Sequence, residues 1–590
     1  MKITPSPLTI SQLFSSNNEQ FFVPAYQRRY AWSEKQLGEL FDDVNLLKEN
    51  ETHLLSTIVF LTETHTAGIN QLEVVDGQQR ITSISILLKT LHDKFIDAEQ
   101  EDTAKEIKTF LVCKGIDRKE RNKLLLGELD NSDYVKLIED TDLDEIINQN
   151  LVNAYDYFSD WLDEYCRDLN LFYYKLINNI MVIRLDVGHA KDAYKLFETI
   201  NNRGLKLSPT DIIKNFLLGN ASIINESTLT QVRNYWQDVI INLDQIKTDD
   251  FFRQLFSGIL TRKVPISKLI DEFKEYYIKN VKEGELLSTY HIYKDTQAIE
   301  EDEPDDINES DENSDNPKLT QKISLIEFTG KLKLASSVYE KIINQNFDNE
   351  KINQCLYNLE RIKSFPSYIF LLNLFQRSLP DKTFINILKM LETFMLRRHI
   401  CEYRTGELDD IFSKIVNLDD NNIEQEVAEF LKKHLPTDGE FEEKLALYSF
   451  KGNIDRAKYM LECFEYNAIE DKGEYQIKGG EDVHLEHIIP QVINTLRAKR
   501  EFGDWVSYLG EKALDKHGIY VDRIGNYTLI ASKLNIAASN NPFLAKKNEY
   551  KKSNLSLSKF LASNYRDFKF KQVDERSKRF AKLAVEIWNI

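Results

Sequence analysis

Val483-His484-Leu485-Glu486-His487-Ile488-Ile489-Pro490-Gln491 is the stretch on which the reading of the C-terminal fold turns. A carboxylate directly before a histidine, followed by apolar residues and a proline, reads as a strand entering a turn. The rest of the pattern lies downstream. Ile524-Gly525-Asn526-Tyr527-Thr528-Leu529-Ile530 comes first, then Asn535 in Lys533-Leu534-Asn535. Asn526 and Asn535 are nine positions apart, a spacing that a strand–loop–helix can return to one pocket. Cutting a phosphodiester needs a base to activate water, and positive charge on the scissile phosphate and leaving oxygen. A neutral His487 can take a proton near pH 7. Glu486 offers an oxygen that suits a hard ion such as magnesium. Asn535 could add a carbonyl oxygen, and Asn526 could fix the loop and, through it, His487. Lys546-Lys547, just beyond Asn541-Pro542-Phe543, reads as a pair of cations near phosphates. Taken singly, a Glu–His pair is more often structural, and Asn-Tyr-Thr-Leu is ordinary turn chemistry. The combination at this spacing carries the reading.

Charge distribution supports it better than total charge does. The formal net charge is −19. Residues 481–590 nevertheless hold 19 Lys and Arg against 13 Asp and Glu, a balance of +6 that leaves −25 elsewhere. A basic flank alone is as readily a solvated surface as a DNA-binding face. The acid concentrates between Asp295 and Asp315, with 11 Asp and Glu in 21 residues and no Lys or Arg. Such a run repels itself and lacks apolar payload, so 295–317 is expected to be a disordered insertion.

The 590 residues suggest about three or four structural units. Met1 to Gln20 has no signal-peptide pattern, and no stretch reaches the roughly 18 apolar residues of a membrane span. The five cysteines are scattered without a CxxC, which argues against zinc knuckles and a disulfide framework and fits a reducing cytoplasm. Long periodic stretches with sparse Gly and Pro imply an α+β, predominantly helical chain. The expected divisions are 1–222, a helical connector 223–440, and 441–590.

Working back to the N-terminus, Phe21-Phe22-Val23, His53 to Thr62, Leu72 to Val75 and Ile180 to Ile183 read as strands. Three motifs lie among them. Pro24-Ala25-Tyr26-Gln27-Arg28-Arg29-Tyr30 sets two arginines among aromatics, offering phosphate forks and stacking surfaces. An aromatic core with outward-snorkelling arginines explains it equally well. Ser33-Glu34-Lys35-Gln36 then reads as a capping box before a helix that buries Leu37, Leu40, Phe41 and Val44. Asp76-Gly77-Gln78-Gln79-Arg80 leads a strand into an apolar helix, which presents free N–H groups and a positive dipole end, a phosphate-binding arrangement. Asp76 could hold a metal or cap that helix. Asn201-Asn202-Arg203-Gly204 reads as a helix end, and Ser208-Pro209-Thr210-Asp211 as a helix start. The helix boundaries leave Asn201, Asn202 and Arg203 unexplained.

The C-terminal constellation resembles a ββα-metal HNH nuclease, in the variant whose last His is Asn, as in some RNA-guided nucleases. That resemblance implies Glu486 as metal carboxylate, His487 as general base, Asn526 as structural Asn and Asn535 as final metal ligand, with Mg2+ or Mn2+. The N-terminal motifs, in order and with Asp211 and Lys214, resemble the N-terminal domain of GmrSD-type proteins. The resemblance implies a ParB/sulfiredoxin-like fold that binds and hydrolyses a nucleoside triphosphate. Tyr26, Gln27, Arg28, Asp76, Gly77, Gln78, Gln79, Arg80 and Arg203 would contact it. GmrSD-type enzymes are type IV restriction systems acting on modified, typically phage, double-stranded DNA, and paired cuts would make a homodimer sensible. The alternatives are a nucleotide-switched sensor with an inactive nuclease domain, and a toxin-like nickase.

Overall fold

The computed structural model describes residues 3–66, 68–201, 208–284, 322–468 and 482–590. They form two compact units: 1–253 with 264–340, and 254–263 with 341–590. The helical stretch expected as one connector is therefore divided between the two units. Arg203 and the acidic segment 295–317 lie outside the described residues.

The first unit is built on a six-stranded mixed sheet of order β1-β8-β3-β4-β2-β7. Its strands are β1 (Ile3–Thr9), β2 (Glu19–Phe22), β3 (His53–Thr66), β4 (Ile69–Asp76), β7 (Leu124–Leu125) and β8 (Ile180–Val187). A separate short pair joins β5 (Val112–Lys114) to β6 (Glu120–Asn122). β3 and β4 pair antiparallel, while β3 and β8, and β2 and β4, pair parallel. All four sequence-read strands are present. β1 has Pro at positions 5 and 7, a composition that argues against a strand, and it pairs on one side only, with β8.

Gly77 turns β4 into the Gln78–Asp97 helix at φ +96°, where a Cβ would crowd the Ile58 side chain. That helix buries residues all round, from Ile81 and Ile84 to Leu91 and Phe95, so it runs through the core rather than over it. The Ser33–Gln36 capping box opens the Glu34–Asn45 helix, which buries the four expected apolar residues. Ser208 caps the Pro209–Ile224 helix by accepting from the Asp211 N–H.

The second unit is helical around one antiparallel pair, β9 (Val483–His487) and β10 (Tyr527–Ala531). His487 pairs with Tyr527 and Glu486 with Thr528. The Ser532–Ala538 helix follows β10 directly and packs on both strands. Ile488, Ile489, Ile530, Phe543, Tyr550 and Val573 share the core beneath. Gly525 lies against the Phe570–Ile587 helix so closely that a Cβ would collide with the Val573 carbonyl. Only glycine fits this turn.

Candidate nuclease centre and nucleotide cluster

Neighbouring positions on a strand face opposite ways, and this separates Glu486 from His487. Glu486 turns inward. Its Oε1 accepts from Lys546 Nζ at 2.5 Å and from Tyr550 Oη at 3.2 Å. Lys546 is fully buried and also donates to the His487 carbonyl at 2.7 Å. Burial pushes the Glu486 carboxyl up and the Lys546 ammonium down, and each partner opposes the shift of the other. The pairing corrects the reading of Lys546 as a phosphate contact, because a buried ammonium held by a carboxylate and a carbonyl cannot reach DNA. Lys547 donates to the Tyr565 carbonyl.

His487 faces the other way, half-buried. Its Nε2 lies 3.5 Å from Asp522 Oδ1 and 3.2 Å from Gln491 Nε2. The ring meets Tyr527 edge-to-face at 4.8 Å. Among the described residues, Nδ1 has no hydrogen-bonding partner. Burial lowers the His487 pKa from its ordinary 6.5, and nearby Lys546 and His517 add to this, against the opposing effect of Asp522. The imidazole is therefore neutral, and so able to accept a proton, at neutral pH.

Asn526 is fully buried and ties the loop after β9 to the turn before β10. Its Oδ1 accepts from the Ile489 N–H at 2.8 Å, and its Nδ2 donates to the Ile489 and Val521 carbonyls. Its own carbonyl accepts from the Ile488 N–H. Asn535 sits mid-helix on the β9–β10 platform, half-buried; its carbonyl accepts from the Ser539 N–H, and its side chain has no hydrogen-bond partner among the described residues.

The expected Glu486–Asn535 metal pair does not fit magnesium in this arrangement. The carboxylate is already neutralised 2.5 Å away by Lys546, and no three His, Cys, Asp or Glu converge among the described residues. Sequence reasoning missed Asp522 altogether. The signal available was the β9–β10 register, which sets Tyr527 opposite His487 and so brings the segment before Asn526 to the ring.

The N-terminal motif residues divide in a similar way. The Gln78 and Gln79 amides donate to the Arg28 and Arg29 carbonyls, and the Gln79 oxygen accepts from the Ala31 N–H at 2.8 Å. The space between these glutamines and the 28–30 loop is about 10 Å³, room for one water and not for a nucleotide. Tyr26 is buried and gives its hydroxyl to Glu73, so it is not a stacking surface. Gln27 donates to the Val75 carbonyl and accepts from Lys214 Nζ at 2.5 Å. Lys214 is buried and also pairs with Asp211 at 3.4 Å.

Burial raises the Asp76 carboxyl, against the opposing effects of Arg80, the Gly77 N–H and Lys214. Asp76, Arg80, Lys214 and Asp211 thus form one electrostatic cluster. Arg28 borders it, 3.9 Å from Asp211 and half exposed. Arg28 also lines a cavity of about 870 Å³ with Asn148, Ser208, Thr210, Asp244 and Lys247, within the range of small-molecule sites.

Residues 10–218 match the family model described as GmrSD restriction endonuclease, N-terminal domain. Residues 435–583 match that of GmrSD restriction endonucleases, C-terminal domain. The chain belongs to the GmrSD restriction endonuclease family. The two matches contain, respectively, the Asp76 cluster and the His487 centre. Membership makes this GmrSD chain a restriction endonuclease with DNA as its substrate. No curated protein matches it. Among the described residues, no helix is long and apolar enough to cross a membrane.

Proposed function

We propose that this GmrSD chain cuts modified foreign DNA at an HNH-like ββα centre, with His487 as general base and a nucleoside triphosphate as activator. One observation carries the reading: a neutral imidazole whose Nδ1 has no partner among the described residues, held on β9 beside a loop that Asn526 clamps. In this scheme water attacks the phosphorus and passes a proton to His487 Nδ1. The P–O bond to the leaving oxygen breaks, and that oxygen takes a proton from solvent. The triphosphate would lie by Arg28, Arg80 and the N-terminus of the Gln78–Asp97 helix, on a ParB-like domain. Gln78 and Gln79 would shape the site without touching the nucleotide. A divalent ion, expected from the HNH resemblance, would require Glu486 to exchange Lys546 for the ion.

The test uses the purified full chain with nucleoside triphosphate, and with Mg2+, Mn2+ or excess EDTA, on phage genomic DNA with or without modified cytosines. Modified DNA is expected to be cut, and His487→Ala to lose roughly 10²–10⁴-fold in rate with unchanged unfolding. Equal cutting by His487→Ala would end the reading. The Glu486–Lys546 pair favours a second reading, a nucleotide-switched DNA sensor whose nuclease domain is inactive. Calorimetric Mg2+ binding that is the same in wild type and Glu486→Ala, together with no cutting of any DNA, would select it.

A further inference from the structure

Asp522 is a carboxylate in a shielded place, with its side chain 12 % exposed. A buried anion is costly unless partnered. The side-chain partners it has are the Tyr527 hydroxyl, which donates at 3.1 Å, and His487 Nε2 at 3.5 Å. Its backbone is pinned as well, since its carbonyl accepts from the Phe450 N–H at 2.8 Å. Tyr527 is the cross-strand partner of His487 and packs against the same ring. One tyrosine therefore holds both the imidazole face and the carboxylate beside it.

We propose that Asp522 is the positioning residue for His487. It accepts from Nε2–H, fixes the imidazole in that tautomer, and leaves the Nδ1 lone pair as the base. The inference rests on the reading of His487 as the proton acceptor. When Nδ1 takes the proton from water, the ring carries protons on both nitrogens, and the Asp522 charge stabilises the imidazolium so formed. The 3.5 Å separation is long, as such bonds often are before substrate binds, when they tighten.

Gln491 offers the opposite arrangement. If its amide nitrogen donated to Nε2, the ring proton would sit on Nδ1 and the base would be blocked. An ionised acceptor outweighs a neutral donor at the same atom. Turning the Gln491 amide over places its oxygen toward the ring at no steric cost. Lys546 and His517, which also act on His487, supply no competing acceptor: the Lys546 ammonium only donates, and His517 Nε2 donates to the Pro490 carbonyl.

The experiment has two arms, both on the full chain. In the first, the protein is labelled with 15N-histidine, and the His487 ring nitrogens are assigned by their loss in His487→Gln. Two-bond proton–nitrogen correlations at neutral pH are expected to show the Nε2–H tautomer in wild type and a shift toward Nδ1–H in Asp522→Asn. In the second, single-turnover cutting and binding of modified phage DNA are measured. Asp522→Asn is expected to cut roughly 10–100-fold more slowly, less than the loss from removing the base itself, with DNA binding unchanged. Asp522→Glu should recover part of the rate.

Tyr527→Phe, which removes only the hydroxyl that steadies Asp522, should lose a smaller factor and guards against a misfolded Asp522→Asn. An unchanged His487 tautomer in Asp522→Asn, or cutting at the wild-type rate, overturns the proposal. His487→Ala cutting at the wild-type rate would instead overturn the reading of His487 itself. An inactive His487→Ala beside a fully active Asp522→Asn would overturn only the role of Asp522.

Discussion

The Asp-Gly-Gln-Gln-Arg turn of the first unit and the Glu-His strand end of the second use their polar residues in the same divided way, with different degrees of burial. At the first, Gln78 and Gln79 hold backbone carbonyls while Arg28 stays half exposed at the mouth of a cavity. At the second, Glu486 is locked to a buried lysine while His487 Nδ1 has no partner among the described residues. The clamps are neutral amides in the first unit and an ion pair in the second. An amide–carbonyl contact contributes modestly, whereas a broken buried ion pair leaves a bare charge. A motif is thus partly scaffold and partly reagent, and mutations should separate the two by where they act, on unfolding or on function.

The largest expected effect is on the ion pair. Glu486→Ala should destabilise the second unit by about 3–5 kcal/mol, the cost of an uncompensated buried charge, read by urea unfolding. The double change Glu486→Gln with Lys546→Met should recover most of that loss, since neither charge remains. An unaltered midpoint in Glu486→Ala would show the carboxylate to be available after all, and would erase the contrast between the two sites.

Next come the neutral clamps. Gln79→Ala leaves the Ala31 N–H and Arg29 carbonyl without their partner, and Asn526→Ala strands the Ile489 backbone. Each should cost roughly 1–3 kcal/mol, with Asn526→Ala also slowing cutting because the loop after His487 is released. Arg28→Ala should do the reverse. Unfolding should move by no more than about 0.5 kcal/mol, while nucleoside triphosphate affinity, measured by calorimetry, falls about tenfold, equivalent to roughly 1.4 kcal/mol.

The smallest effect is a displacement along the pH axis. Burial depresses the His487 pKa below its ordinary 6.5, so the base stays neutral where a free histidine is half protonated. The acid limb of the pH–rate profile should therefore lie below pH 6.5. The same shift makes stability fall as pH drops from 6.5 through the folded-state value, because the unfolded chain takes up the proton first. An acid limb above 6.5 would assign the limb to another group.

Much of this was legible without coordinates. The Ser33–Gln36 capping box, the Ser208 cap and four of the six strands of the first sheet follow from local propensity, and local chemistry needs no partner far along the chain. Asn526 was readable as a loop-fixing residue from its place nine positions before Asn535. β1 was not, because two prolines hide a strand that pairs only with β8. Tyr26 was misread as a contact surface because nothing local shows that Glu73 waits for its hydroxyl.

The chain's own pattern therefore determined which segments become strand, turn and helix, and that the two motif regions are chemically dense. The tertiary structure alone decided which residues in those motifs face a partner and which stay available. Glu486 and His487 are adjacent in sequence, yet one meets Lys546 and Tyr550 and the other Asp522 and Tyr527. Strand alternation turns the two side chains apart, and pairing across dozens of residues then chooses the company each keeps.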